Sequence, residues 1–261
     1  MPSCDVLIIG GGTNGLACAA RLAQSGRKVT VLEATTTPGG GAQTVEFAPG
    51  YRVSGLAHIV NMLDARVAAK MDLSRHGLEW ASTALSSTAL DADGSHLVLE
   101  GAAGQTVRGN LSPEDAVAWQ ALRERLFAFS GALAPFREMA PPRISRNGGN
   151  EYLKQARLGM GLRGLGRDRF REFLRVILIN VADVLEDDLT DDRLMGLLAF
   201  DTVLGAWLGP RSPNSLILLL NRLAGEAAGM RGALVLPRGG MGAVAAAMER
   251  AVAAAGGTVL T

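Results

Sequence analysis

The sequence predicts an α/β protein. A strand, a glycine turn, a helix and a second strand follow in order over residues 5–33, and a turn, helix and strand recur over residues 236–261. Between them, hairpin signals give way to apolar stretches of helical character, so helices and strands are both well represented.

Asp5-Val-Leu-Ile-Ile-Gly10 is short, apolar and β-branched and stops at glycine, as a buried parallel strand does. Gly10, Gly12 and Gly15 then form G-x-G-x-x-G. Leu16 to Ser25 reads as a helix that Gly26 ends, and Lys28 to Glu33 as the second strand. In such a unit Gly10 permits the tight turn and Gly12 lets backbone approach a pyrophosphate. Gly15 lets the helix pack closely on the strand. The helix start offers free N–H groups and a positive dipole end to phosphates, with Asn14 a further binding candidate in its first turn. Glu33 lies 23 residues past Gly10, where a carboxylate accepts ribose hydroxyls and repels a 2′-phosphate.

That fingerprint serves NAD and FAD alike; the next residues favour FAD. After Glu33 and Ala34 the chain reads Thr-Thr-Thr-Pro38-Gly39-Gly40-Gly41-Ala42, a glycine run beginning six residues past the acid. A second glycine turn lets backbone come close to the remainder of a larger cofactor. The pattern resembles the second signature of the glutathione-reductase-type flavoproteins, which include the amine oxidases and the phytoene desaturases. Many amine oxidases carry Arg directly after the glycine pair, where this chain has Gly41 followed by Ala42. Three further stretches are similar to the phytoene-dehydrogenase-like FAD-dependent oxidoreductases, the branch that includes the pyridine nucleotide-disulfide oxidoreductase domain-containing protein 2 group. They are PGYRVSGLAHIVNML at Pro49–Leu63, DLSRHGLEW at Asp72–Trp80 and LPRGGMGAVAAAMERAVAAAGGTVLT at Leu236–Thr261. Ser54 stands where that family often has an acid, and Leu56 where it often has Gly. His58 falls near a histidine of some members and reads as a partly buried structural residue.

The resemblance implies a Rossmann-like FAD-binding domain with an inserted α+β substrate domain. Residues 1–72 would begin the FAD-binding domain, 73–232 form the substrate or cap domain, and 233–261 return to the first. It implies FAD held by Gly10, Gly12, Asn14, Gly15, Glu33, Ala34, Gly39, Gly40, Gly41 and Ala42. The implied reaction moves a hydride from a hydrophobic small molecule to flavin; a polyene needs no acid–base pair, and no catalytic residue is assigned. Two alternatives stand beside it. One is a flavin amine oxidase-like enzyme, which Gly41 and the scarcity of aromatics (three Trp, two Tyr, seven Phe) disfavour. The other is a non-catalytic nucleotide-binding subunit. Members of the family are about twice as long, and no further glycine-rich cofactor segment follows Met241. The expectation is therefore an N-terminal half or one subunit of a split enzyme, gripping the ADP end of FAD better than its ring. Its partner would be a complementary C-terminal chain or another copy of itself.

Within the middle, Asp93-Gly94 marks a hairpin turn before a strand at Ser95–Glu100, and AAGQT marks the next turn, which together predict a small sheet. Ser112-Pro113-Glu114-Asp115 starts a helix: Ser caps, Pro fits the first turn and Asp115 completes a capping-box-like pattern. This helix is expected to reach Phe127, with Pro135 and Pro141-Pro142 breaking the chain after it. Arg143 to Arg175 carries nine Lys or Arg against three acids. It reads as a solvated face, as a surface paired with the acidic run DVLEDDLTDD at Asp183–Asp192, or as a peripheral membrane or anionic-substrate contact. Phe200 to Leu223 is apolar and helical around GPRSPNS. By resemblance it borders a substrate cavity.

Bulk properties narrow the field. At 261 residues and 48% hydrophobic the chain supports a sizeable core, and a net charge of +1 gives no reason to expect a nucleic-acid partner. Cys4 and Cys18 form neither a redox pair nor a metal motif, so a reduced, cytoplasmic setting is expected. His58, His76 and His96 lack zinc-like spacing, and the acidic run lacks EF-hand spacing, so no metal is expected. The longest aliphatic run, Leu216–Leu220, is far too short to span a bilayer.

Overall fold

The computed structural model describes residues 3–140 and 149–261, so Pro141-Pro142 and the first residues of the basic stretch lie outside the described residues. By internal packing the chain divides into two compact units. One comprises Met1–Leu85 and Glu226–Thr261, the other Ser86–Gly225.

The first unit is built on a parallel sheet. Strands β1 (Val6–Ile9) and β2 (Val29–Leu32) flank helix α1 (Thr13–Gln24) in the chain and pair in register, Val6 opposite Val29 and Ile9 opposite Leu32. Helix α1 starts three residues before the expected Leu16, because the glycine turn runs straight into it: the Leu16 N–H already donates to the Gly12 carbonyl at 2.9 Å. It closes as expected at Gly26, whose φ of 85° no residue with a Cβ adopts easily.

After β2 come the hairpin of β3 (Thr44–Ala48) and β4 (Tyr51–Ser54), the short helix α2 (Ala65–Lys70) and β5 (Trp80–Ser82). The second unit then intervenes. The chain returns through β9 (Glu226–Ala227), β10 (Met230–Arg231) and β11 (Leu236–Pro237), followed by α10 (Gly242–Ala254) and β12 (Thr258–Leu260). Strand β5 pairs with β11, and Val60 bridges Val235, so residues 73–85 and 226–232 belong to the same compact unit as the parallel sheet. The compact units thus divide at 85/86 and 225/226, whereas sequence placed the junctions at 72/73 and 232/233. Sequence patterns do not reveal an antiparallel pairing between segments about 155 residues apart.

Strand β12 joins β2 in parallel, which gives the sheet order β1-β2-β12. Helices α1 and α10 pack against each other and against these strands through Leu16, Ala19, Ala20, Val244, Ala247 and Met248, all buried. Small residues let the helices approach closely. The other face of the sheet carries Leu7, Ile9, Leu32 and Leu260, which share a face by register and remain exposed, Ile9 by 77%. Parallel sheets ordinarily have both faces covered.

The second unit begins with an antiparallel sheet of β6 (Ser87–Ala89), β7 (Leu97–Glu100) and β8 (Thr106–Arg108), the small sheet expected from the turn signals. Helices follow: α3 (Pro113–Ala132), α4 (Ala134–Glu138), α5 (Gly149–Arg163), α6 (Arg167–Val176), α7 (Val181–Glu186), α8 (Asp192–Val203) and α9 (Leu216–Ala224). Their core gathers Trp119, Leu122, Leu126, Phe129, Phe173 and Leu220, with Phe129 and Phe173 edge to face at 5.5 Å. Helix α3 runs five residues beyond Phe127, since Phe129 still faces this core, Ala132 is buried and the Ser130 hydroxyl donates to the Leu220 carbonyl at 2.8 Å.

Ser112 caps α3 as expected, accepting the Asp115 N–H. The Asp115 carboxylate does not complete the capping box. It is buried and accepts the Thr190 N–H and hydroxyl, each at 2.8 Å, tying the start of α3 to the loop before α8. Asp115→Ala strands both Thr190 donors and is expected to cost about 1–3 kcal/mol, read as a lowered urea midpoint at unchanged slope.

Candidate functional site

The glycine-rich turns of the first unit converge on one place. Gly10 takes φ 98° and donates its N–H to the Leu32 carbonyl, binding the turn to the end of β2. A Cβ on Gly15 would lie 2.2 Å from the Gly10 carbonyl oxygen, so α1 crosses the turn at a distance only glycine allows. At Gly12 the situation is reversed: a Cβ there would meet nothing within 4 Å. Gly12 therefore opens onto free space beside the start of α1. That helix start has no side-chain cap and no acid in its first turn, the arrangement an anionic ligand requires. Asn14 projects from the same turn and is exposed.

The second glycine run folds onto the first. The Gly39 N–H donates to the Gly11 carbonyl at 2.8 Å, and Gly39 bridges Gly12 in parallel. A Cβ on Gly40, at φ 55°, would lie 3.3 Å from the Gly12 Cα. Ala42 is buried and closes the turn by donating to the Gly39 carbonyl, while Gly41 stays exposed and accepts the Ala57 N–H.

Glu33 ties the first run to the start of the loop that leads to the second. One carboxylate oxygen accepts the Gly11 N–H at 2.7 Å; the other accepts the Thr35 N–H at 2.9 Å, with the Thr35 hydroxyl also within 2.9 Å. The backbone N–H groups of Thr35 and Gly11 hold its pKa below the ordinary value, and that of Ala34 adds to the effect. Its own N–H donates to the Leu260 carbonyl at 2.7 Å, so β12 fixes the position of Glu33.

Sequence reasoning missed Gly11, the middle glycine. A Cβ there would press within 3.1 Å of both the Glu33 carboxylate and Pro38. Three consecutive glycines were the available signal. It also missed Thr44 and Ser54. Their hydroxyls accept the Gly242 and Met241 N–H groups at 3.0 and 3.1 Å, so the β3–β4 hairpin caps α10. Thr44 further donates to the Gly239 carbonyl, and Gly240 and Gly242 leave room for its side chain. Only the folded chain brings these residues together across nearly 200 positions. His58 is exposed, not partly buried as expected, because it lies on the loop between β4 and α2.

In the second unit the Phe200–Leu223 segment borders a cleft of about 730 Å³ lined by Leu185, Met195, Ala199, Pro210 and Arg211 among others. Cys4 and Cys18 are free and exposed. Among the described residues no His, Cys, Asp and Glu cluster suits a metal ion, and no helix is long and apolar enough to cross a membrane.

The first unit is Rossmann-like: its residues 8–71 match the family of NAD(P)-binding Rossmann-like domains. The chain is homologous to pyridine nucleotide-disulfide oxidoreductase domain-containing protein 2 of Rattus norvegicus, at 29% identity over 275 aligned positions that cover all of this chain and 47% of the relative. It thus spans about half the length of that relative. A 116-residue stretch is 35% identical to one of the subunits of limonene dehydrogenase from Castellaniella defragrans, covering 43% of this chain and 21% of the relative. In fold the chain is similar to cyclohexylamine oxidase from Brevibacterium oxydans, with a TM-score of 0.56 and 20% identity over 99% of this chain and 51% of the oxidase. These findings make the chain similar, over about half the length of the full-length relatives, to proteins named as oxidoreductases.

Two outcomes check this geometry. Gly15→Ala drives a methyl into the Gly10 carbonyl and is expected to lose about 3 kcal/mol by denaturant titration, whereas Gly12→Ala, into open space, stays within about 0.5 kcal/mol. Because folding depresses the Glu33 pKa, its contribution is present above the ordinary value of 4.5 and lost as pH falls. The stability difference between wild type and Glu33→Gln should therefore fade on acidification below that pH.

Proposed function

We propose that the chain binds FAD through the two stacked glycine turns and belongs to an oxidoreductase that takes hydride from a hydrophobic small molecule. The observation that carries this reading is the seating of Gly39–Gly40 on Gly11–Gly12. A dinucleotide loop alone would serve NAD; a second close backbone approach suits the longer FAD. In this reading the free N–H groups at the start of α1 face the pyrophosphate, and Gly12 and Gly40 admit it closely. Glu33 accepts the ribose hydroxyls with the lone pairs its backbone donors leave free, and Asn14, Ala34, Gly41 and Ala42 line the remainder. When bound, FAD supplies the hydride acceptor. The chain would bind and orient it, and the proton that the substrate loses along with the hydride would pass to solvent.

The substrate class draws support from the limonene dehydrogenase relative, named for a hydrocarbon. Likeness to an amine oxidase in fold does not choose between substrates, and Gly41 replaces the arginine many amine oxidases carry. We further propose that a segment equivalent to the second half of the longer relatives, in this or another chain, covers Leu7, Ile9, Leu32 and Leu260.

Titration of the purified chain with FAD and, separately, NAD tests the cofactor. The expected result is saturable FAD binding with the visible absorbance of bound flavin. Glu33→Ala should weaken it by about 10- to 100-fold, the scale of lost hydrogen bonds to a charged group. Gly12→Ala should weaken it while leaving the fold intact. Tight NAD binding with no affinity for FAD would overturn the reading in favour of a nucleotide-binding subunit of another kind.

A further inference from the structure

Helices α5 and α6 present basic and apolar side chains together to solvent, and the acidic run does not neutralise them. Asp183, Glu186, Asp188 and Asp191 of that run pair with other arginines. Arg125 pairs with Asp188 and with Glu172 of α6, Arg193 with Asp191, and Arg211 with Asp183 and Glu186. From the described basic stretch only Arg175 reaches the run, at 3.9 Å from Asp187, while Arg169 turns to Glu124. Arg157, Arg163, Arg167 and Arg171 have no ion-pair partner among the described residues.

Helical geometry places these groups. In α6, Phe173, Val176 and Ile177 turn toward the core, and Phe173 and Val176 are buried. Opposite them, Arg167, Arg171 and Arg175 follow one another at four-residue intervals. Leu174, and Leu178 in the turn just beyond, lie along the same side, 54% and 69% exposed. Asp168 is the acid at the margin of this face; Glu172 is engaged by Arg125. In α5, Leu158 is buried, and Leu153 and Met160 point away from it, each at least 66% exposed, with Arg157 and Arg163 flanking them. Only Gly164-Leu165-Gly166 separates the two helices.

Scattered exposed apolar residues are ordinary on a surface, but here four large aliphatic side chains lie exposed between residues 153 and 178 among unpaired arginines, and a face meant for a soluble polyanion needs no leucines. Unpaired arginines alternating with exposed Leu and Met match a surface that offers anionic headgroups above a hydrocarbon layer. We propose that the outer face of α5 and α6 docks on anionic phospholipid bilayers, with Leu153, Met160, Leu174 and Leu178 entering the interface and Arg157, Arg163, Arg167 and Arg171 meeting phosphate groups. The proposal stands independently of the cofactor.

Co-sedimentation of the full chain with sucrose-loaded vesicles tests it. Vesicles of phosphatidylcholine alone are compared with vesicles containing phosphatidylglycerol, at low and high salt. The expected result is binding to the phosphatidylglycerol vesicles only, weakened by salt. The double variant Arg167→Gln/Arg171→Gln should reduce partitioning about 30-fold, and Leu174→Gln/Leu178→Gln should abolish what survives at high salt. Circular dichroism of both variants matching wild type shows that the fold is kept; should the leucine variant unfold, Leu153→Gln/Met160→Gln takes its place. Equal sedimentation with and without phosphatidylglycerol would overturn the proposal. So would loss of binding on the arginine changes with no effect of the apolar ones, the pattern of a site for a soluble anion or an acidic protein.

Discussion

Gly11 uses both sides of its peptide group, and the first unit is organised around it. Its N–H goes to the Glu33 carboxylate and its carbonyl receives the Gly39 N–H. The first bond holds the acid at the end of β2 against the loop after β1. The second lays the Gly39–Gly41 turn over that loop. With no Cβ at Gly11, Glu33 and Pro38 can both close to contact distance. The second bond, with the Gly12–Gly39 bridge beside it, joins the two glycine runs.

What surrounds that centre serves to keep it in place. Strand β12 binds the Glu33 backbone, α10 lies under Gly39 with the Ala245 methyl 3.1 Å from where a Cβ would sit, and the β3–β4 hairpin caps α10. The return segment is thus a structural part of the site. An insertion of 140 residues is tolerated between the two halves because the second unit has a core of its own, anchored on Trp119, Phe129 and Phe173. That separation also leaves the second unit free to carry a different surface, the Arg and Leu face of α5 and α6.

Much of the unit was legible in the residues. G-x-G-x-x-G, the acid 23 positions on and the second glycine run announce themselves because each depends on local backbone conformation. Gly15 is informative because no other residue fits 2.2 Å from a carbonyl oxygen. Thr44 and Ser54 were not legible, since a hydroxyl caps whatever helix start the tertiary fold brings to it. Asp115 was misread for a related reason: a capping-box spacing specifies only where the carboxylate could go, and Thr190, 75 residues away, offers two donors in a buried setting. The acidic and basic runs look complementary in sequence, but α3 and the loop before α9 supply Arg125 and Arg211 first.

By itself, the sequence determined the strand–turn–helix–strand unit, its nucleotide-binding character and the presence of a second glycine turn. These follow from periodicity, glycine and charge within about 40 residues of chain. Tertiary structure decided that the two turns stack through Gly11, that β12 and α10 hold Glu33 and Gly39, and which arginines keep their charge unpaired. Those outcomes depend on contacts between distant segments, where the energy of a bond depends on which partner arrives and a local pattern carries no record of it.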